Sequence, residues 1–158
     1  MPDETTPSAI EARIRADLTA AQRAREQLRI DALRMALGVF HNEEVDRRHP
    51  GHKEHGRPLN EDDRVALLQR QINQRREAAE LYRKGGRIDL AEKEDQERAI
   101  LEAYLPAKMT DAEVREVVAG LIAAHGKDFR TIMPLASRAT KGRADGRRVQ
   151  EIVRELIG

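Results

Sequence analysis

The chain contains no cysteine and no tryptophan, and aromatic residues make up only 3% of its 158 positions. Without cysteine there are no disulfides, thiolate nucleophiles, cysteine-ligated zinc sites or iron–sulfur clusters. With so few rings, a core has to be assembled from Leu, Ile, Val, Ala and Met, which suits helices packed on helices better than a sandwich or barrel. Long apolar runs are also lacking. None approaches the roughly 20 residues of a membrane span, and the opening segment Met1-Pro2-Asp3-Glu4-Thr5-Thr6 is acidic where a signal peptide would be basic and then apolar. By elimination, the expected location is the cytoplasm, with no membrane partner. No Walker loop, dinucleotide-binding fingerprint or nucleophile elbow occurs. The only serines, Ser8 and Ser137, lie outside any nucleophile context.

What is present is charge and helix-forming residues. Charged residues reach 36% against 39% hydrophobic, so apolar positions have to be placed economically, and Ala, Leu, Glu, Arg and Gln favour helices. The formal net charge of +1 conceals an asymmetry. Residues 1–106 carry 19 Lys+Arg against 21 Asp+Glu, and residues 107–158 carry 10 against 7. The positive excess is densest between Arg138 and Arg148, which permits an anionic partner.

Periodicity divides the chain into helices. Ser8 with Glu11 reads as a capping box, and Ile10, Ile14, Leu18 and Ala21 share one face. A second run, from about residue 26 to 48, carries Leu28, Leu33, Leu37, Val39, Phe40 and Val45, with Arg25 and Glu26 either bending the chain or continuing one helix. Residues 49–58 hold Pro50, Gly51, Gly56 and Pro58 and predict a loop. Asn60-Glu61-Asp62-Asp63 opens a third helix, with Val65, Leu68, Ile72, Ala79 and Tyr82 inward and Gly85-Gly86 closing it. Asp89 and Glu92 open a fourth through Leu90, Ile100, Leu101 and Tyr104. Its charged middle, residues 92–98, predicts a solvated ridge.

Pro106 marks a boundary. Thr110 and Glu113 form a second capping box ahead of Val114, Val117, Val118, Leu121 and Ile122, at the spacing of an amphipathic helix that ends at Gly126. Phe129, Ile132, Met133 and Ala136 repeat the pattern, and Pro134 is expected to bend that helix. Val149, Ile152, Val153, Leu156 and Ile157 form a last stripe after Asp145. Helices this short are marginal in isolation, so the three are expected to pack on one another. The fold class is all-α: a hairpin-like N-terminal subdomain of long helices over residues 1–106, then a three-helix bundle over residues 107–158.

The helix Gln71-Ile72-Asn73-Gln74-Arg75-Arg76-Glu77-Ala78 and the phrase Lys84-Gly85-Gly86-Arg87-Ile88-Asp89-Leu90-Ala91 resemble the YqeY family. Glu102-Ala103-Tyr104-Leu105-Pro106 and Lys141-Gly142-Arg143-Ala144-Asp145-Gly146 do so as well, and the resemblance runs from about Ile10 to Ile157. It departs from the family pattern at residues 130–135, where Met133 is followed by Pro134 in place of glycine. The family is similar to the tail domain of GatB, a subunit of the glutamine-dependent amidotransferase that converts misacylated tRNA. There the tail is associated with tRNA and the chemistry lies elsewhere. The resemblance therefore implies a tRNA-binding or tRNA-amidotransferase-associated module, with the amidotransferase label expressing kinship.

Within the basic glycine segment, Lys141, Gly142, Arg143, Arg147 and Arg148 are the candidate nucleic-acid contacts. Gly142 and Gly146 would supply backbone freedom, Asp145 would cap the next helix, and the amides of that helix's first turn would favour phosphate. With no aromatic side chain interleaved, recognition would rest on shape and phosphate. His49, His52 and His55, with His41 nearby, have metal-binding side chains, but a solvated loop gives nothing to fix their spacing, and no metal or other cofactor is expected. Arg70, Arg75 and Arg76 pair sufficiently with Glu77 and Glu80 on their own helix. The expected partners are tRNA or a tRNA-processing enzyme, with a protein-docking adaptor as the alternative and glutamine-dependent amidotransfer the least favoured activity.

Overall fold

The computed structural model describes residues 8–158, in which seven α-helices and no strands are formed. The acidic segment at residues 1–6 lies outside the described residues. The helices are α1 (Ala9–Ala24), α2 (Gln27–Asp46), α3 (Glu61–Lys84), α4 (Ile88–Glu102), α5 (Asp111–His125), α6 (Phe129–Thr140) and α7 (Gly146–Ile157). They fall into two compact units, the first ending at Leu105 and the second spanning Pro106–Gly158. Among the described residues no helix is long and apolar enough to cross a membrane.

In the first unit α3 and α4 form a long antiparallel hairpin, α1 packs along α2, and α2 lies against α4. Ile14, Leu33, Phe40, Leu68, Ile72 and Leu101 fill the core and are almost fully buried, each contributing about 1.5–3 kcal/mol of apolar burial. Of the stripe expected on α2, Leu33 and Phe40 are inside and Val45 faces solvent. Ile30, Ala32 and Ala36 complete the buried face.

Chain direction is set by caps. The helix breaks at Arg25, whose left-handed φ of 57° makes it the one non-glycine residue with positive φ among those described. The Glu26 N–H returns to the Ala21 carbonyl at 3.0 Å, closing α1 as a Schellman turn. At the other end of α1, Ser8 caps as expected, its hydroxyl accepting from the Glu11 N–H at 3.1 Å. Glu11 does not reach back to Ser8. Its carboxylate takes the Arg64 Nε–H at 2.9 Å, and Glu61 of α3 receives the Ile10 N–H instead. Asn60 and Asp63 form a complete capping box on α3, and Gly86, at φ 76°, turns the chain into α4. That helix starts at Ile88 without a side-chain cap; Asp89 lies inside its first turn and pairs with Arg87.

The middle of α4 is solvated at Glu92, Lys93 and Gln96 but not throughout. Glu97 is buried and lies across from Arg75 of α3, itself 5% exposed, with the Arg75 Nε 3.3 Å from the carboxylate. Arg75 therefore does not pair with Glu77 or Glu80. Its Nη1 also donates to the Gln71 side chain at 3.2 Å, and Nη2 points at the Met35 sulfur.

Residues 49–58 are built around a second buried arginine. Arg47 donates to Glu43 at 2.9 Å, to Asp63 at 3.2 Å and to the carbonyls of Arg57 and Pro58 at 3.4 and 3.3 Å. The Gly56 N–H closes the loop on the Arg47 carbonyl at 2.9 Å. This anchoring, which the loop's turn residues do not reveal, fixes a segment read from sequence as merely solvated. His52 is half-buried in it, 3.4 Å from Glu43, and its Nδ1 accepts the Glu54 N–H, while His49 and His55 are exposed. Among the described residues no three His, Asp or Glu side chains are grouped so as to hold a metal ion.

In the second unit α5, α6 and α7 pack mutually around Val114, Val118, Ile132, Val149, Ile152 and Val153. Thr110 and Glu113 form the expected capping box, and Asp128 caps α6. Pro134 is accommodated within α6 and sits on its exposed side, the helix continuing to Thr140.

Candidate nucleic-acid interface

The junction between α6 and α7 carries a dense share of the second unit's exposed positive charge. At the end of α6 the Thr140 hydroxyl donates to the Ala136 carbonyl at 2.8 Å, and Lys141 leaves the helix in an extended conformation. Gly142 takes φ 75°, in the left-handed region where a Cβ is penalised. This reverses the chain so that the Arg143 and Ala144 amides both donate to the Thr140 carbonyl, at 3.0 and 3.1 Å. Gly146 behaves differently from its sequence reading. It begins α7 with no positive φ and open space where a Cβ would stand.

The first turn of α7 is filled from within. Asp145 Oδ1 accepts the N–H groups of Arg147 and Arg148 at 2.7 and 3.2 Å, so these amides are satisfied by the protein's own carboxylate. Two amides of the first turn are thereby closed to a phosphate, which leaves side chains as the main donors at this junction.

Those side chains divide into two groups. Arg148 is held by Asp111 at 2.7 Å, Glu151 at 2.8 Å and Glu155 at 3.8 Å. The hydrogen bonds that Arg148 donates to Asp111 and then to Glu151 raise its pKa, and Arg148 in turn lowers that of Asp111. Arg115 also pairs with Glu155. The remaining acids are partly committed to caps, Asp128 on α6, Glu113 on the Thr110 amide and Asp145 on α7. Lys141 and Arg147, by contrast, are exposed and have no carboxylate partner among the described residues. Arg143 is also exposed; its Nε donates to the Ala107 carbonyl at 3.2 Å, and the rest of its guanidinium is uncommitted.

One cation was missed by sequence reasoning. The Met109 N–H donates to the Arg143 carbonyl at 2.8 Å, so residues 107–109 lie alongside the basic loop and bring the exposed Lys108 next to Arg143. More than thirty positions separate the two in the chain, and only the backbone pairing joins them. The structure thus brings Lys141, Arg143 and Arg147 to one junction, adds Lys108, and places Arg148 beside them inside an acidic clasp.

A comparison with family models matches residues 11–157 to the family described as Yqey-like protein. The chain belongs to the YqeY family. A comparison with curated proteins returned no match. The match spans both units, so the long-helix unit and the three-helix bundle together make up the family's domain.

Proposed function

We propose that this member of the YqeY family is a non-catalytic tRNA-binding or tRNA-amidotransferase-associated module whose contact surface is the α6–α7 junction. The observation that carries the reading is the division of charge in the second unit: its acids are spent largely on Arg115, Arg148 and helix caps, leaving Lys108, Lys141, Arg143 and Arg147 exposed together. Phosphate contacts from such side chains position a nucleic acid without reading its bases, and the absence of an aromatic platform at the junction agrees with recognition by shape. Arg148 contributes by holding α7 against the start of α5, which keeps Arg147 and Arg143 in place.

Filter binding of the full chain to tRNA across a salt series tests the proposal. Salt-sensitive binding supports it; absence of binding at low salt contradicts it. The kinship to an amidotransferase is not carried over as an activity, and the full chain is expected to release no ammonia from glutamine, with or without charged tRNA.

A second reading, docking on a partner enzyme, is favoured by the exposed apolar Leu81 and Ile88, 68% and 50% accessible, on either side of the α3–α4 turn. It predicts a protein partner whose capture survives nuclease treatment.

A further inference from the structure

The first unit contains a second feature, independent of the junction and of the tRNA reading. Arg13 and Asp17 of α1, Arg29 of α2 and the end of α4 with Ala99, Ile100, Ala103 and Tyr104 surround an open hollow of about 320 Å³. Tyr104 belongs to the segment Glu102-Ala103-Tyr104-Leu105-Pro106, for which the α6–α7 junction has no use. Its ring is buried, 3% exposed, and its hydroxyl donates to Asp17 Oδ2. The Arg13 guanidinium stands over the ring, 5.2 Å from its centroid, and donates to the Ala103 carbonyl at 3.2 Å. Arg29 reaches the same Asp17 oxygen only at 3.8 Å.

Donors outnumber acceptors around this hollow. Each guanidinium presents a fork of N–H groups and no acceptor. Arg13 spends one nitrogen on Ala103, Arg29 stands beside the Tyr104 hydroxyl and the Asp17 carboxylate, and among the described residues Asp17 is the single carboxylate in the lining, already occupied by the phenol. Burial and then the hydrogen bond to Asp17 push the Tyr104 pKa up to about 12, so the phenol remains a donor at neutral pH. Ala99, Ile100 and Ala103 supply an apolar wall. The volume is at the lower end of the range for small-molecule sites.

We propose that this hollow binds a small oxyanion, a carboxylate or phosphate group, held between the guanidinium forks of Arg13 and Arg29. Paired guanidinium donors suit the planar or tetrahedral oxygens of such groups. Tyr104 and Asp17 act as positioning residues: the phenol fixes Asp17, and Asp17 keeps Arg29 near the hollow.

The chain provides its own probe, since it has no tryptophan and only two tyrosines, Tyr82 and Tyr104. In the full-length Tyr82→Phe protein all tyrosine emission comes from Tyr104, whose hydrogen bond to a carboxylate quenches it. Inorganic phosphate, acetate and a short single-stranded RNA are titrated separately at constant ionic strength, with sodium chloride as the blank. A saturable change in emission with phosphate or acetate is expected, with the tighter of the two identifying the group that the site prefers. Arg13→Gln and Arg29→Gln, both at exposed side chains, are each expected to weaken that binding about tenfold or more, with unchanged helical circular dichroism as the check on folding. No saturable response to either free anion overturns the proposal, as does a response to RNA alone. Undiminished affinity in both arginine variants overturns it as well.

Discussion

Arg75 and Glu97 face each other across the α3–α4 hairpin, both nearly buried, with the Arg75 Nε 3.3 Å from the Glu97 carboxylate. Taking two charges out of water costs several kcal/mol per ion, and their attraction only about offsets it. The pair is therefore sensitive to loss of one member and tolerant of loss of both. Arg75→Met alone or Glu97→Leu alone is expected to lower unfolding stability by about 3 kcal/mol. The double variant should recover to within about 1 kcal/mol of the parent. Urea unfolding followed by circular dichroism measures all three, and a double variant as unstable as the sum of the singles would show that Arg75 and Glu97 are not coupled, contradicting the pairing.

Arg47 organises residues 49–58 from below, and Arg47→Met is expected to cost about 2–3 kcal/mol by leaving Glu43, Asp63 and two carbonyls without their donor. The pH dependence carries a sign. Burial raises the Asp63 pKa, but the Asn60 amide and Arg47 outweigh it and hold the carboxyl below its ordinary value. A carboxyl with a depressed folded pKa stabilises the fold above its unfolded value, about 4, and that stabilisation is lost as pH falls through the folded value. Stability measured between about pH 5 and pH 2 should therefore fall less steeply in Arg47→Met than in the parent. An equally steep acid limb would show that Asp63 does not draw on Arg47.

Gly142 and Gly146 are equivalent in the sequence motif and different in the backbone. Gly142→Ala places a Cβ at φ 75° and is expected to destabilise by about 1 kcal/mol. Gly146→Ala, in a helix with open space at the site, is expected to be neutral or to stabilise by up to about 1 kcal/mol. Thermal unfolding of the two single variants distinguishes these outcomes, and equal destabilisation would mean that both glycines are needed for their backbone.

Much of the fold was legible because its signals are local. Asn60 with Asp63, Thr110 with Glu113, and Asp145 ahead of Val149 announce helix starts through spacing alone, and the stripes that follow them are the buried faces observed. Intrahelical pairing with Glu77 and Glu80 misplaces Arg75, and equating a charged run with solvent misplaces Glu97. Their spacing carried a signal: Val65, Leu68, Ile72, Arg75 and Ala79 advance in steps of three and four, and so do Glu94, Glu97, Leu101 and Tyr104. A charge in register with an apolar stripe points inward and needs a partner on another element. Arg47, four residues beyond Glu43 and seven beyond Phe40, follows the same rule. Two features had no such signal. Arg25 adopts left-handed backbone without being glycine or asparagine, and Lys108 joins the junction only through the Met109–Arg143 backbone hydrogen bond.

The candidate contacts were legible as a cluster of charge, but not in their division of labour. Lys141, Arg143 and Arg147 remain uncommitted to carboxylates, whereas Arg148 is clasped by Asp111, Glu151 and Glu155. Sequence proximity cannot separate them, because Asp111 arrives from a helix 37 residues away.

The most direct test of the proposed function is the salt dependence of tRNA binding in the full chain compared with its Lys141→Ala/Arg143→Ala variant. If Lys108, Lys141, Arg143 and Arg147 each neutralise one phosphate, the logarithm of the binding constant should fall with the logarithm of salt concentration with a slope of about −3. Removing two of those cations should weaken binding at every salt concentration and reduce the slope by about 1.5. An unchanged slope and affinity in the double variant, or no binding by the parent even at low salt, would contradict the assignment of the α6–α7 junction as the nucleic-acid surface.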